Sequence, residues 1–202
     1  MRADLGEDAG CGQSAPARFW VAVAGPSGAG KDTLLDAVRA DLAHDPRFHF
    51  ARRSITRPPT PGGEAHEPLS PEAFEAALGA DEFLLHWRAH GLAYGIRRAE
   101  APAGCVVILS LSRGVLAEAA RLRPLRVIEV TAPPGLLAER LARRGREDAA
   151  SIAARLAREV PLAEGLDVTR VMNDGPVKTG ATRLRAALEA VAASCTGAGF
   201  RP

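Results

Sequence analysis

Little in this chain is aromatic: only 4% of its 202 residues are Phe, Trp or Tyr, with a single Tyr, so a core has to be assembled from Ala, Leu and Val. Cysteine is scarce as well. Cys11, Cys105 and Cys195 are an odd number, widely spaced, without CxxC or Cys/His ligand spacing, which excludes a disulfide framework and a zinc site and fits a reducing cytoplasm. No run of about 18 apolar residues occurs, so no membrane span or membrane partner is expected. Residues 1–17 lack the hydrophobic middle of a signal peptide and read as a flexible tail, as do residues 196–202. An excess of one charge is missing too. Lys and Arg number 26 against 24 Asp and Glu, a net charge of +2 that argues against a nucleic-acid footprint. His44, His49 and His90 show no HxxxH or HxxE spacing and read as surface or turn residues.

What is present is a phosphate cradle. The run Gly25, Pro26, Ser27, Gly28, Ala29, Gly30, Lys31 follows an apolar stretch at 19–24 and precedes a helix-like segment at 32–42, the strand, P-loop and helix context that a nucleoside triphosphate needs. Glycines let backbone N–H groups turn toward phosphate oxygens, Lys31 reaches the β and γ phosphates, and the helix N-terminus adds a favourable dipole. One position departs from the pattern. Asp32 stands where a magnesium-binding hydroxyl belongs, and Thr33 comes one residue late. Three roles stay open for Asp32: a magnesium ligand, an acceptor for metal-bound water, or a solvated residue that suits the helix dipole.

Length allows one α/β domain with a small inserted segment, here taken as residues 18–195. Candidate strands at 19–24, 48–56, 105–111, 125–130 and 168–173 alternate with helices, which implies a parallel five-stranded sheet with helices on both faces. Residues 58–103 break this rhythm. Ser70 followed by Pro71 predicts a helix start, residues 82–87 an edge strand, and 90–97 a turn and return. Arg140, Arg143 and Arg144 crowd the end of a helix at 133–144, and another helix is expected at 148–160.

Several patterns in this order resemble the guanylate kinase superfamily over about residues 19–192. They are the P-loop, Ser54-Ile55-Thr56-Arg57-Pro58-Pro59, His90-Gly91 with Tyr94-Gly95, Arg140-Leu141 with Arg144-Gly145, and Asn173-Asp174. The resemblance implies a three-layer P-loop kinase fold with an acceptor-binding insertion at about 58–103 and an arginine-bearing lid at about 138–155. Departures from that family bear on the substrate. Its guanine-reading glutamate aligns with Leu85, and a hydroxyl residue that also contacts guanine aligns with Ile96. Its Asp-Tyr pair becomes Ala65-His66, and a second arginine becomes Thr60. A pocket built to hydrogen-bond a purine edge discriminates by roughly 10⁴ or more, so losing those partners removes guanine specification.

These changes, with Gly30-Lys31-Asp32, Gly62-Gly63-Glu64, Ser112-Arg113 and Arg144-Gly145-Arg146-Glu147, resemble the ribose 1,5-bisphosphate phosphokinase family of phosphonate catabolism. That resemblance implies ATP and Mg2+ as cofactors and a small sugar phosphate as partner, converted to 5-phosphoribosyl 1-diphosphate. It places Lys31, Arg140, Arg144 and Arg155 in catalysis, and residues 25–33 with Asn173 and Asp174 around the nucleotide, although Asn-Asp-Gly is also an ordinary turn. Arg57 and Tyr94 match the acceptor-phosphate residues of the guanylate kinase superfamily; Arg53, His66 and Arg97 lie in the same stretch and are assigned to the acceptor with them, and Asp32 is assigned to the metal in place of the missing carboxylate. Arg98 lies nearby, and Trp87 either packs an edge strand or stacks on a sugar. The strand at 105–111 lacks the acidic pair usual near magnesium and offers Ser110 and Ser112 instead. Rival readings are a guanylate or other nucleoside monophosphate kinase, a catalytically dead phosphopeptide-binding scaffold, and a gluconate-type sugar kinase. Oligomeric state stays open, a homodimer among the options.

Overall fold

The computed structural model describes residues 20–59, 64–143 and 161–197. Side chains alternate across β1 (Trp20–Ala24), which is buried on both sides: Val21 and Val23 enter one core, Trp20, Ala22 and Ala24 the other. Around β1 a parallel sheet is built from β2 (Phe48–Phe50), β7 (Val106–Ser110), β8 (Leu125–Thr131) and β9 (Asp167–Met172), in the order β2-β7-β1-β8-β9. The five expected strands are therefore neighbours, with β1 central, so its C-terminal end delivers the P-loop to the middle of the sheet edge.

One face is covered by α1 (Lys31–Asp41), through Leu34, Leu35 and Val38, and by the long C-terminal helix α5 (Val177–Gly197), through Leu184 and Leu188. α4 (Pro134–Arg143) adds Leu137 to the same core. The opposite face packs against α3 (Leu116–Leu122) and against a second sheet. That sheet joins β3 (Arg53–Ile55), β4 (Glu67–Pro68), β5 (Phe83–Ala89) and β6 (Leu92–Arg97) in the order β4-β3-β6-β5. The β5–β6 connection has two residues, His90 at φ 51° and Gly91 at φ 73°, the positive pair that a type I′ hairpin requires. α2 (Pro71–Gly79) closes its outer side, with Phe74 stacked on Phe83 at 4.6 Å. Ser70 caps α2 by accepting from the Ala73 N–H at 3.1 Å, as the Ser-Pro pair predicts.

One expected strand is corrected. Residues 48–56 form not one strand but two, β2 in the parallel sheet and β3 in the second. The ladder to β7 ends where the Ala51 N–H donates to the Ile108 carbonyl at 3.0 Å, and Arg53 then pairs with Ile96 of β6. Glu100 secures the crossing by accepting from the Arg52 N–H at 2.8 Å and meeting His49 Nε2 at 3.3 Å. The helix expected at 148–160, with most of the 138–155 lid, lies outside the described residues.

Candidate active site

Gly30 enters α1 in the left-handed conformation, φ 81°, and a Cβ there would meet Asn173 Nδ2 at 2.5 Å. A Cβ on Gly25 would strike the Val130 carbonyl oxygen at 2.1 Å. Those two contacts explain why the turn from β1 into α1 is spelled with glycine. Ala29 is fixed from outside the loop, its carbonyl accepting from Asn173 Nδ2 at 2.7 Å and from Arg140 Nη1 at 3.4 Å. Gly28, Gly30, Thr33, Arg140, Asn173 and Val177 line a cavity of about 250 Å³ beside the loop. Asp174 sits outward, accepting from Arg183 Nη1 at 2.7 Å.

Lys31 and Asp32 face the second sheet through a charged cluster. Lys31 Nζ donates to Asp32 Oδ1 at 2.5 Å and to Ser110 Oγ at 2.9 Å. Arg53 Nη2 reaches the same Asp32 oxygen at 3.2 Å, and Ser110 Oγ approaches it at 3.3 Å. Burial would raise the Asp32 carboxyl, but Lys31 and Arg53 outweigh it and hold the group well below the usual carboxylate range. Burial pushes the Lys31 ammonium below its usual value against the opposing pull of Asp32. Tyr94 lies under Arg53, ring centroid 5.6 Å from the guanidinium carbon, and burial raises its phenol.

The structure thus gathers Lys31, Asp32, Arg53 and Tyr94. Arg57 is half-buried close by, and its Nε is buried without a hydrogen-bond partner among the described residues. His66 is buried, its two ring nitrogens engaged by the carbonyls of Glu64 and Arg57 at 2.9 and 3.0 Å, which ties those two residues to it. Arg97 is not brought to this group. Alternation along β6 sends it to the α2 side of the sheet, where Glu67 and Glu82 hold it. Trp87 is an internal packing residue, stacked on Tyr94 at 5.4 Å. Arg144 and Arg155 lie outside the described residues.

Two participants have contacts that the sequence did not indicate. Ser110 was visible as a hydroxyl at a strand end, but its contact with Lys31 spans 79 positions. Glu64 pairs with Arg53, and its sequence signal was its place in the Gly62-Gly63-Glu64 run, which named no partner for it. Among the described residues no cluster of three or more His, Cys, Asp or Glu side chains could hold a metal, and no helix is long and apolar enough to cross a membrane.

A parallel sheet that ends in a P-loop, with a second sheet across the cleft, defines a P-loop kinase of the guanylate kinase fold. The crystal structure of guanylate kinase from Anaplasma phagocytophilum matches with a TM-score of 0.60 at 18% identity, covering 88% of this chain and 87% of that one. No family model matches. The ribose 1,5-bisphosphate phosphokinase PhnN of Brucella melitensis biotype 2 is 50% identical over 167 residues, 80% of this chain and 87% of that protein. A bifunctional ribose 1,5-bisphosphokinase-thymidine phosphorylase of Azorhizobium caulinodans is 50% identical over 173 residues, 83% of this chain; the match spans 25% of that longer protein. The chain belongs to the ribose 1,5-bisphosphate phosphokinase family.

Proposed function

We propose that this enzyme transfers the γ-phosphoryl group of ATP to a phosphate of ribose 1,5-bisphosphate, giving ADP and 5-phosphoribosyl 1-diphosphate. The observation that carries this reading is buried hydrocarbon at the positions where a guanine reader would stand. Leu85 and Ile96, at the positions where a guanine-reading kinase has hydrogen-bonding side chains, face each other across β5 and β6, and both are 0% exposed. A purine edge would find no partner in that apolar row, which favours an acceptor held by its charge. Cations remain: Arg53 and Arg57 lie beside Tyr94, across from Lys31. The orphaned Arg57 Nε fits an anionic acceptor, because buried donors are rarely left unmatched.

A phosphate acceptor needs no general base, since a phosphomonoester with second pKa of about 6 is already largely dianionic at pH 7. Its oxygen attacks the γ-phosphorus, and the bond to the β-phosphate oxygen breaks as ADP leaves. The protein has to hold anions together, by positioning and by positive charge. In this reading Lys31 exchanges Asp32 and Ser110 for the β and γ phosphates, and Arg140 with Arg144 covers the migrating group. Arg155 bridges donor and acceptor, and Asn173 with Asp174 flanks the adenine. The residues present fit magnesium in a limited way. Asp32 and Ser110 offer the hard oxygen donors that this ion prefers, with phosphates and water completing its shell. When bound, magnesium would neutralise charge on the β and γ phosphates. The setting is the cytoplasm, consistent with Cys105 as a free thiol.

Coupled ADP release measured with ribose 1,5-bisphosphate, ribose 5-phosphate and GMP in parallel tests the reading. Release dependent on the bisphosphate, with GMP inert, is expected. A GMP-dependent rate with the bisphosphate inert would make this a nucleotide kinase.

A further inference from the structure

Arg53 is held by a residue of the wrong sign for an anion-binding cleft. Its Nε donates to Glu64 Oε1 at 2.5 Å and its Nη2 to Glu64 Oε2, a two-pronged pairing of guanidinium and carboxylate. Nη2 also reaches Asp32 Oδ1, and the Tyr94 ring lies against the guanidinium. Both partners are deep, with side chains 8% and 12% exposed for Arg53 and Glu64. Among the described residues the Glu64 carboxylate meets no cation except Arg53. Its backbone is anchored by His66, whose ring bonds the Glu64 carbonyl, so the side chain can leave the fork while the segment stays in place.

A carboxylate in that fork presents two oxygens as a phosphate does, because both match the planar spacing of guanidinium donors. We propose that Glu64 is a built-in surrogate for the acceptor's phosphate: it occupies Arg53 in the empty protein, and an acceptor binds there by evicting it. The inference deepens the reading above and rests on it only for the identity of the acceptor. The exchange makes Glu64 a specificity residue. A phosphomonoester dianion brings two charges and three oxygens against one charge and two oxygens, so it takes the fork. A singly charged carboxylate gains nothing by exchange and is turned away.

The test uses the full chain with its donor site saturated by magnesium and a non-hydrolysable ATP analogue, so that the P-loop does not compete for the probe. Inorganic phosphate and acetate are titrated calorimetrically into the wild type, Glu64→Ala and Glu64→Gln. Glu64→Ala should bind phosphate about 10-fold tighter or more, since one charged hydrogen-bonded competitor is gone. Acetate, without measurable affinity for the wild type, should compete with phosphate in Glu64→Ala. Glu64→Gln keeps the shape but loses the charge, so it should move phosphate affinity in the same direction by less, and it carries the test if Glu64→Ala does not fold.

Thermal unfolding supplies a second readout. With the same analogue bound and phosphate absent, Glu64→Ala should melt roughly 5 °C lower or more, because a buried guanidinium loses its counter-charge. Phosphate should restore most of that loss while moving the wild type little. Unchanged or weaker phosphate binding in the variants, or a melting loss that phosphate does not repair, would make Glu64 a fixed prop for Arg53 and overturn the proposal. Neither readout involves turnover. An inert ribose 1,5-bisphosphate in the ADP-release assay would therefore remove the acceptor's identity and leave this result standing.

Discussion

Asp32 is where the P-loop and the second sheet meet electrostatically: one of its oxygens takes contacts from Lys31, Ser110 and Arg53. Its carboxyl is held below the usual range, which fixes the sign of a pH effect. A carboxylate with a depressed folded pKa contributes stability above the unfolded value of about 3.9 and loses it as pH falls below that value. Carbon NMR of the Asp32 carboxyl should therefore show an ionised group through pH 4, and Arg53→Ala should move its midpoint upward; an ordinary Asp midpoint in the wild type would contradict the ion cluster. For Lys31, the loss of a charge-stabilising donor is expected to lower turnover about 100-fold or more in Lys31→Ala, with the circular dichroism spectrum unchanged. Near-normal ADP release would remove Lys31 from the chemistry. This lysine was legible from sequence because glycine spacing and flanking pattern fix it locally. Its partner Ser110 was not, because nothing local links a hydroxyl on β7 to a lysine on α1.

At the level of elements, periodicity and punctuation carried the reading furthest where both were present. α2 combines Ser70, Pro71 and apolar residues at helical spacing, and it starts where those signals put it. Removing the cap in Ser70→Ala should cost about 1 kcal/mol, seen as a lower urea midpoint at unchanged slope. A midpoint equal to that of the wild type would show that tertiary packing alone sets the helix start. The division between β2 and β3 was hidden for the opposite reason. No glycine or proline marks Ala51 and Arg52, and Phe48, Phe50, Ile55 and Thr56 suit extended backbone on either side, so the two strands read as one. What separates them is a side chain about 50 positions away, Glu100, which captures the Arg52 N–H.

On the scale of the whole molecule, the parallel sheet was legible because strand and helix alternate, and an alternating chain has few right-handed solutions. The second sheet was legible as an interruption of that rhythm, with its edge strand and return identified; its strand order depends on pairings such as β3 with β6 that no short window contains. The site combines both cases. Its P-loop half is written in consecutive residues, and the half proposed for the acceptor is assembled from β3, β6 and Glu64.

The row formed by Leu85 and Ile96 also has a bearing on redesign. Both side chains are part of the packing that joins the two sheets, in one cluster with Trp87, Leu109 and Leu116. Putting glutamate back at position 85 would insert a charge into a sealed hydrocarbon seam, at a cost of several kcal/mol, before any base could be recognised. A single Leu85→Glu substitution would therefore unsettle the fold before it could supply a base reader. Commitment to a sugar phosphate is thereby secured by the stability of the protein itself.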